Sequence, residues 1–463
     1  MIVLTALFLA IAIPRAMFPE LDHADDYSDA DILISGQNFE KFGFIKTHFL
    51  TMTDVQLGAP GAFYTHYPML SSVVNGLLRI VFRTESLYFF RGVALLFAYL
   101  NLLFWYLFVR RLTRSDLAGF FSGVFYLANP LFVFSADSLH QLSYLDFLRS
   151  LIMYLFLVYI MEGSKKRKWI FLFLFIVIVV QTLMGWEYAA YISLFFILFG
   201  FFFKIPKGSL TVWAVIILVG ANAVGFLLHF LQNVWHFGSF QIAWQGLTSI
   251  AAERFSNSKD MPMALNLANW WKFVIARYFS LVFMLNSFMS GVTAFIAYLL
   301  YRELPYRHKR NARRLLRLGA LLSLCGVTWY VLLPSHSLAH TFVLFLARHL
   351  VPVASLAFAA FFYIWLRYID EKGKHKLLGK SALSVALIGI LFFGVIQGGL
   401  PITQIQRSGC ADFLIFKKDL LSIKAESSPG DVIGVNYFRA PFMRYYAQRK
   451  CVVVMNKEAF DKL

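Results

Sequence analysis

The chain has 463 residues, 59 % of them hydrophobic and only 15 % charged, with 51 phenylalanines and a mean hydropathy of +0.65. Soluble domains carry roughly 45–50 % apolar and about 25 % charged residues, so an ordinary soluble globule is excluded. The formal net charge of +18 would suit nucleic acid, but the basic residues lie in short connections between apolar runs, which marks membrane topology and excludes nucleic acid as the partner.

The apolar runs fall at 1–18, 87–109, 117–135, 143–161, 169–184, 187–203, 210–231, 274–300, 318–333, 349–367 and 381–400. Each approaches the ~20 residues that cross a bilayer as a helix. They predict an all-α polytopic membrane protein of about eleven transmembrane helices, with residues 1–400 as its membrane domain. The first run lacks a basic leader and a small-residue cleavage site, so it reads as a span and not a signal peptide.

Alternate connections carry the positive charge: "RRLTR" (110–114), "KKRK" (165–168), "KIPK" (204–207), 301–317 and 367–380. Together they hold 21 of the 43 basic residues. All five agree with one threading, in which they are cytoplasmic with anionic headgroups as their partners. The N-terminus is then inside and the C-terminus outside.

The first extracytoplasmic loop, 19–86, opens on five aspartates, at 22, 25, 26, 29 and 31. In a helix, Asp22, Asp26 and Asp29 would share a face, and like charges at that spacing cost a few tenths of a kcal/mol per pair. Crowded carboxylates bind a cation, supply a general base, or stand solvated. The concentration of 8 of the 25 acidic residues within 19–54 favours a site. Farther on, Gly58, Pro60 and Gly61 mark a turn, and Tyr64, His66 and Tyr67 bring aromatic and polar groups. Pro68 suits the first turn of an amphipathic helix lying on the membrane, and Arg91 falls near the start of the second span.

Later external connections add three more groups. "MGWEYAAY" places Glu187 between Trp186 and Tyr188; interfacial aromatics are membrane anchors and also sugar platforms. The loop 232–273 contains Trp235, His236, Trp244 and Gln245, a possible lid. In 332–352, His336 and His340 are spaced to share a helical face, followed by Arg348 and His349, a gathering of donors suited to a phosphate. The C-terminal stretch, 401–463, reads as a small α/β extracytoplasmic segment: a helix near 411–424, a strand at "DVIGVN", a helix at "FRAPFMRYYAQRK" and a strand at "CVVVMN". The three cysteines, 325, 410 and 451, have no metal-ligand spacing.

The order of features is similar to that of the GT-C glycosyltransferases, in the branch of the protein O-mannosyltransferases and the bacterial lipid A aminoarabinose transferases. An N-terminal helix leads to an external loop with an Asp-Asp pair, then "GF" at 43–44, a "HYP" segment, an interfacial helix and an Arg opening the next span. The resemblance implies transfer of a sugar from a polyprenyl-phosphate donor to an acceptor glycan, lipid or protein. By position it implies Asp25 as the base with Asp26 beside it, and Arg91 at the donor phosphate. There is departure at Asp26, where Glu is commoner, and at "HYPML" in place of "HPPL". The chemistry then assigns Arg348, His336 and His340 to the phosphate, and His66, Tyr64 and Glu187 to the sugar or acceptor. One phosphate has little need of a metal, although Asp22 and His23 beside the pair leave a divalent cation open. No cofactor is otherwise implied. The alternative reading is a transporter or flippase for a lipid-linked or small polar substrate.

Overall fold

The computed structural model describes residues 1–16, 26–57, 62–161, 164–203, 209–255, 281–332, 349–372, 381, 416–435 and 440–453. Helices dominate. They are α1 (Ile2–Ala16), α2 (Asp26–Phe42), α3 (Leu70–Phe82), α4 (Leu87–Thr113), α5 (Asp116–Leu127), α6 (Pro130–Ser135) and α7 (Leu142–Met161). After these come α8 (Ser164–Met184), α9 (Glu187–Phe203), α10 (Ser209–Phe237), α11 (Phe240–Phe255), α12 (Leu281–Arg302), α13 (Tyr306–Leu332) and α14 (Val351–Lys372). Among the described residues, α4, α7, α8, α10 and α14 are long and apolar enough to cross a membrane, and α1, α3, α5 and α9 include shorter apolar stretches. The chain is a multi-pass membrane protein.

The run 117–135, expected as one span, is two helices. Asn129 is extended and its side chain accepts the Leu131 N–H at 3.0 Å, with Pro130 at the first helical position. Pro has no N–H to continue α5 and fits the first turn of α6, so the break is chemical. At 29 residues α10 is about 44 Å long, more than the ~30 Å hydrocarbon layer. Its last turns carry Gln232, Asn233 and His236. The run expected at 381–400 lies outside the described residues, apart from residue 381.

The first loop is itself ordered. Strands β1 (Thr51–Met52) and β2 (Phe63–Tyr64) pair antiparallel, and α2 lies on α3 at close range. A Cβ on Gly36 would meet Asn75 Oδ1 at 2.0 Å, and one on Gly76 would meet Phe39 at 2.7 Å. Only glycine admits that approach. α3 buries Ser71, Ser72, Asn75 and Arg79 against its neighbours, while Leu77 (52 % exposed) and Val81 (61 %) face outward with Ile80 and Phe82. Arg79 is neutralised by Glu40 (3.1 Å) and Glu85 (2.7 Å). The polar face is inside and the apolar face outside, the reverse of a helix on a soluble protein.

In the C-terminal stretch, α15 (416–426) precedes β3 (Val432–Val435), which pairs parallel with β4 (Lys450–Val453). Between them, α16 (Ala440–Phe442) runs on as a π turn, Met443–Ala447. This layer packs on α2: Ala30, Ile32 and Leu33 share a buried cluster with Leu420, Val435, Phe442, Met443 and Cys451. Arg444 stands 3.8 Å from Asp54 of the first loop.

The helix ends sort into two sets. At one end, Arg314 donates to Leu112 O (2.8 Å) and Arg317 to Phe202 O (3.3 Å), and Arg307 pairs with Glu371. The ends of α4, α9 and α14 and the basic start of α13 therefore meet at one end of the bundle. The starts of α4, α7, α9 and α14 form the opposite, polar end described next.

Candidate active site

The polar end is organised by the segment 137–149, which leaves the α6–α7 turn and enters α7. Asp137 is its first charged group. Arg15, in the last turn of α1, donates through Nε to Asp137 Oδ1 at 2.9 Å. Arg91, one turn into α4, stands with Nε 3.9 Å from Asp137 Oδ2. Arg15 is 8 % exposed, Arg91 is fully buried, and so is the carboxylate between them. Ions in an apolar bundle are tolerated where they face an opposite charge and have their hydrogen bonds satisfied.

The next residues hold the acidic loop. Asp29, completely buried in the first turn of α2, accepts from Ser138 Oγ (3.1 Å) and from the His140 backbone N–H (2.8 Å). A carboxylate near a helix N-terminus is also favoured by the helix dipole. Gln141 Nε2 donates to Tyr67 Oη (3.3 Å), which accepts in addition from the Trp186 backbone N–H (2.9 Å). The hydroxyl of Tyr67 thus ties the "HYP" segment to the residue before α9.

Inside α7, roughly one and two turns from its start, lie Asp146 and Arg149. Arg149 Nη2 stands 3.3 Å from Asp146 and donates to Tyr126 Oη at 2.6 Å. Asp146 accepts from Tyr188 Oη at 2.5 Å. The guanidinium lies over the rings of Tyr188 and Tyr191, a cation–π arrangement strengthened by desolvation. His349 stacks on Tyr191 at 5.0 Å between ring centroids and meets Tyr188 edge-on at 4.7 Å.

The expected site residues are distributed as follows. Asp26 is the first residue of α2 and Glu187 the first of α9, directly after Trp186. Tyr64, in β2, and His66 are half-buried, with their rings 4.5 Å apart. Between them, the Thr65 carbonyl accepts from Asn233 Nδ2 (2.8 Å), and His229 Nε2 lies 3.1 Å away, so the end of α10 holds this loop. Arg91 belongs to the Asp137 cluster. Asp25, His336, His340 and Arg348 lie outside the described residues, as do Asp22 and His23, but His349 places the residue after Arg348 against α9. Among the described residues no three metal-ligating side chains gather at a site.

Sequence reasoning passed over Arg15, Asp137, His140, Asp146 and Arg149. The two charges at i and i+3 inside an apolar run were a legible signal, since an ion there needs a partner within reach. The Arg15–Asp137 pair, 122 residues apart, had none.

One end of the helical bundle thus gathers buried carboxylates, guanidiniums and aromatic rings beside an ordered first loop. No protein-family model matches the chain, and no curated protein matches it by sequence. Solved structures do. ArnT, the lipid A aminoarabinose transferase, from Cupriavidus metallidurans bound to undecaprenyl phosphate aligns at TM-score 0.57 and 13 % identity, over 99 % of this chain and 87 % of that one. Its apo state gives 0.57 and 13 % over 100 % and 86 %. The apo Archaeoglobus fulgidus oligosaccharyltransferase gives 0.52 and 12 %, over 98 % of this chain and 64 % of that one. All are GT-C glycosyltransferases, and the chain shares their fold.

Proposed function

We propose that the protein is a membrane glycosyltransferase that moves a sugar from a polyprenyl-phosphate donor to an acceptor on the extracytoplasmic face of the cell membrane. The observation that carries this reading is a fold shared over nearly the whole chain with a transferase structure holding undecaprenyl phosphate. In the proposed orientation the N-terminus and the basic end are cytoplasmic, and the polar end faces out. Residues 1–400 carry the chemistry, and the described part of the C-terminal stretch braces the first loop through α2. The outward apolar face of α3 suits a helix resting on the outer leaflet.

In the reaction, an acceptor hydroxyl or amine attacks the anomeric carbon, forming a new bond as the bond to the phosphate oxygen breaks. Asp25, with Asp26 adjacent, takes the acceptor's proton, and the lipid phosphate leaves as an anion. Arg348, His336, His340 and Arg91 are assigned to that charge, where donors aimed at developing charge act most strongly. His66, Tyr64 and Glu187 are assigned to the sugar or acceptor. A second reading, a transporter or flippase, draws on the Asp146–Arg149 pair within α7, because ionisable groups inside spans often mark transport pathways.

The test supplies membranes containing wild type or Asp25→Asn with a labelled polyprenyl-phosphate sugar. Loss of the general base should lower transfer by about 10²–10⁴-fold. Full transfer by the variant would reject Asp25 as base, and movement of label across the membrane without transfer would favour the transporter.

A further inference from the structure

The basic end contains two adjoining cavities. One, of about 550 Å³, is lined by Leu157, Ile160, Phe199 and Phe203 below and by a row of basic side chains of α13 above. The other, of about 400 Å³, is lined by Arg110, Arg111 and Arg114 at the end of α4, with Tyr154 and Leu107. Met161 lines both. Each volume is within the range of roughly 300–1,000 Å³ usual for small-molecule sites.

The charge in these cavities is unbalanced. Nine basic side chains line the pair, and Asp116 is the single carboxylate among the lining residues. Asp116 is engaged by Arg110, and nearby Glu371 by Arg307. Arg310, Arg313, Arg314 and Arg317 are spaced i, i+3, i+4 and i+7 on α13, so they share a face. Arg314 is held from behind by Leu112 O (2.8 Å) and Arg317 by Phe202 O (3.3 Å). Each of these contacts uses one of the five N–H donors of a guanidinium. Arg310 has no ion-pair partner among the described residues. Burial, and then the neighbouring Arg310 and Arg114, hold Arg314 below the ordinary arginine pKa.

A topology signal needs only basic residues near the membrane; it does not need them on one helical face, over a cavity with an apolar floor. We propose that these cavities bind the phosphate-bearing headgroup of an anionic phospholipid of the adjacent leaflet, with its acyl chains along Leu157, Ile160, Phe199 and Phe203. Arginine forks match phosphate oxygens in bidentate fashion, and basic pockets between spans are suited to such headgroups. The site is at the opposite end of the bundle from the proposed donor site, so it is not a subsite for the polyprenyl phosphate.

The experiment is native mass spectrometry of the detergent-solubilised full chain, titrated with cardiolipin, phosphatidylglycerol or phosphatidylcholine, and separately with inorganic pyrophosphate. The expected result is retention of the two anionic lipids at least tenfold above phosphatidylcholine, with little retention of pyrophosphate. Arg310→Gln/Arg313→Gln/Arg317→Gln should remove that preference, whereas the equal charge change Lys417→Gln/Lys418→Gln/Lys424→Gln on α15 should keep it. Undiminished preference in the arginine variant would overturn the site. Equal retention of phosphatidylcholine by wild type would overturn the anion requirement whether or not the variant folds. Pyrophosphate held as firmly as lipid would overturn the lipid assignment in favour of a soluble phosphate.

Discussion

Replacing Asp137 by Asn removes the buried carboxylate that both Arg15 and Arg91 face. Breaking a buried ion pair from one side costs about 3–5 kcal/mol, so the variant should lose stability of that order. The geometry also predicts how the cost divides. At an effective dielectric of about 20, unit charges near 4 Å attract by roughly 4 kcal/mol before desolvation is counted, a contribution available to both arginines. Arg15 adds direct hydrogen bonds to Asp137 Oδ1 from Nε, at 2.9 Å, and from Nη2, whereas Arg91 at 3.9 Å is beyond hydrogen-bonding distance. A hydrogen bond to a charged group contributes about 1.5–3 kcal/mol. In double-mutant cycles with Arg15→Met and Arg91→Met, the Asp137–Arg15 coupling should therefore exceed the Asp137–Arg91 coupling by about that amount. Detergent-solubilised protein unfolded by SDS titration gives these energies. Equal couplings, or a loss under about 1 kcal/mol for Asp137→Asn, would refute the reasoning.

Four further outcomes are expected. Gly76→Val drives a side chain into Phe39 at 2.7 Å; overpacking of about 1–3 kcal/mol should loosen α2 from α3, seen as faster proteolysis of the first loop. Burial pushes the Cys451 thiol up to about 12, so in a variant with Cys325 and Cys410 replaced by Ser, iodoacetamide at pH 8 should leave folded protein unlabelled and label it once unfolded. Burial lowers the pKa of His48, so as pH falls the unfolded chain takes up a proton at this ring before the folded protein does. Its contribution to stability should therefore fall as pH drops below about 6.5, a dependence that His48→Gln should flatten. Asp29→Asn keeps an oxygen to accept from Ser138 and His140, while Asp29→Ala does not. If Asp29 positions α2 and is not itself the base, transfer should survive the first change far better than the second, with the same pH profile.

The legible parts of the fold were those decided by contrast between apolar and polar neighbours. The run 187–203 coincides with α9 because lipid and core both take apolar residues along its whole length. Elsewhere hydropathy gave the wrong bounds for identifiable reasons. α10 continues six residues past 231 because Asn233, and His229 before it, face the Thr65 carbonyl, a polar partner invisible to a local average. α13 begins twelve residues before its apolar run, since arginines are good helix formers wherever their heads reach a polar surface. The break at Pro130 was written in the sequence but masked by the apolar residues on both sides. Arg91 was singled out by its position, but its pairing with Asp137, and that of Asp137 with Arg15, depends on how three helices pack. The aspartates were recognised as a group, yet only packing separates Asp29, which is consumed in holding α2, from Asp26 at the head of the same helix.

The charges within α7 bear on the choice between transfer and transport. A transport pathway needs groups whose partners change between inward- and outward-facing states, at a site near the middle of the membrane. Asp146 and Arg149 lie one and two turns into α7, with Arg149 within a turn of the midpoint of that 20-residue helix, but each is held by several fixed groups. Tyr188 bonds the carboxylate, Tyr126 bonds the guanidinium, and two tyrosine rings cover the cation. Exchanging those partners would uncover a buried ion, at a cost of several kcal/mol per ion. A site that stabilises a departing phosphate has the opposite requirement: its dipoles and charges should be in place before the reaction begins, so that no reorganisation is needed as charge develops. The aromatic clamp on Arg149 also fixes His349. A rigid network at that position is what the transfer reading requires and what a transport cycle would have to dismantle.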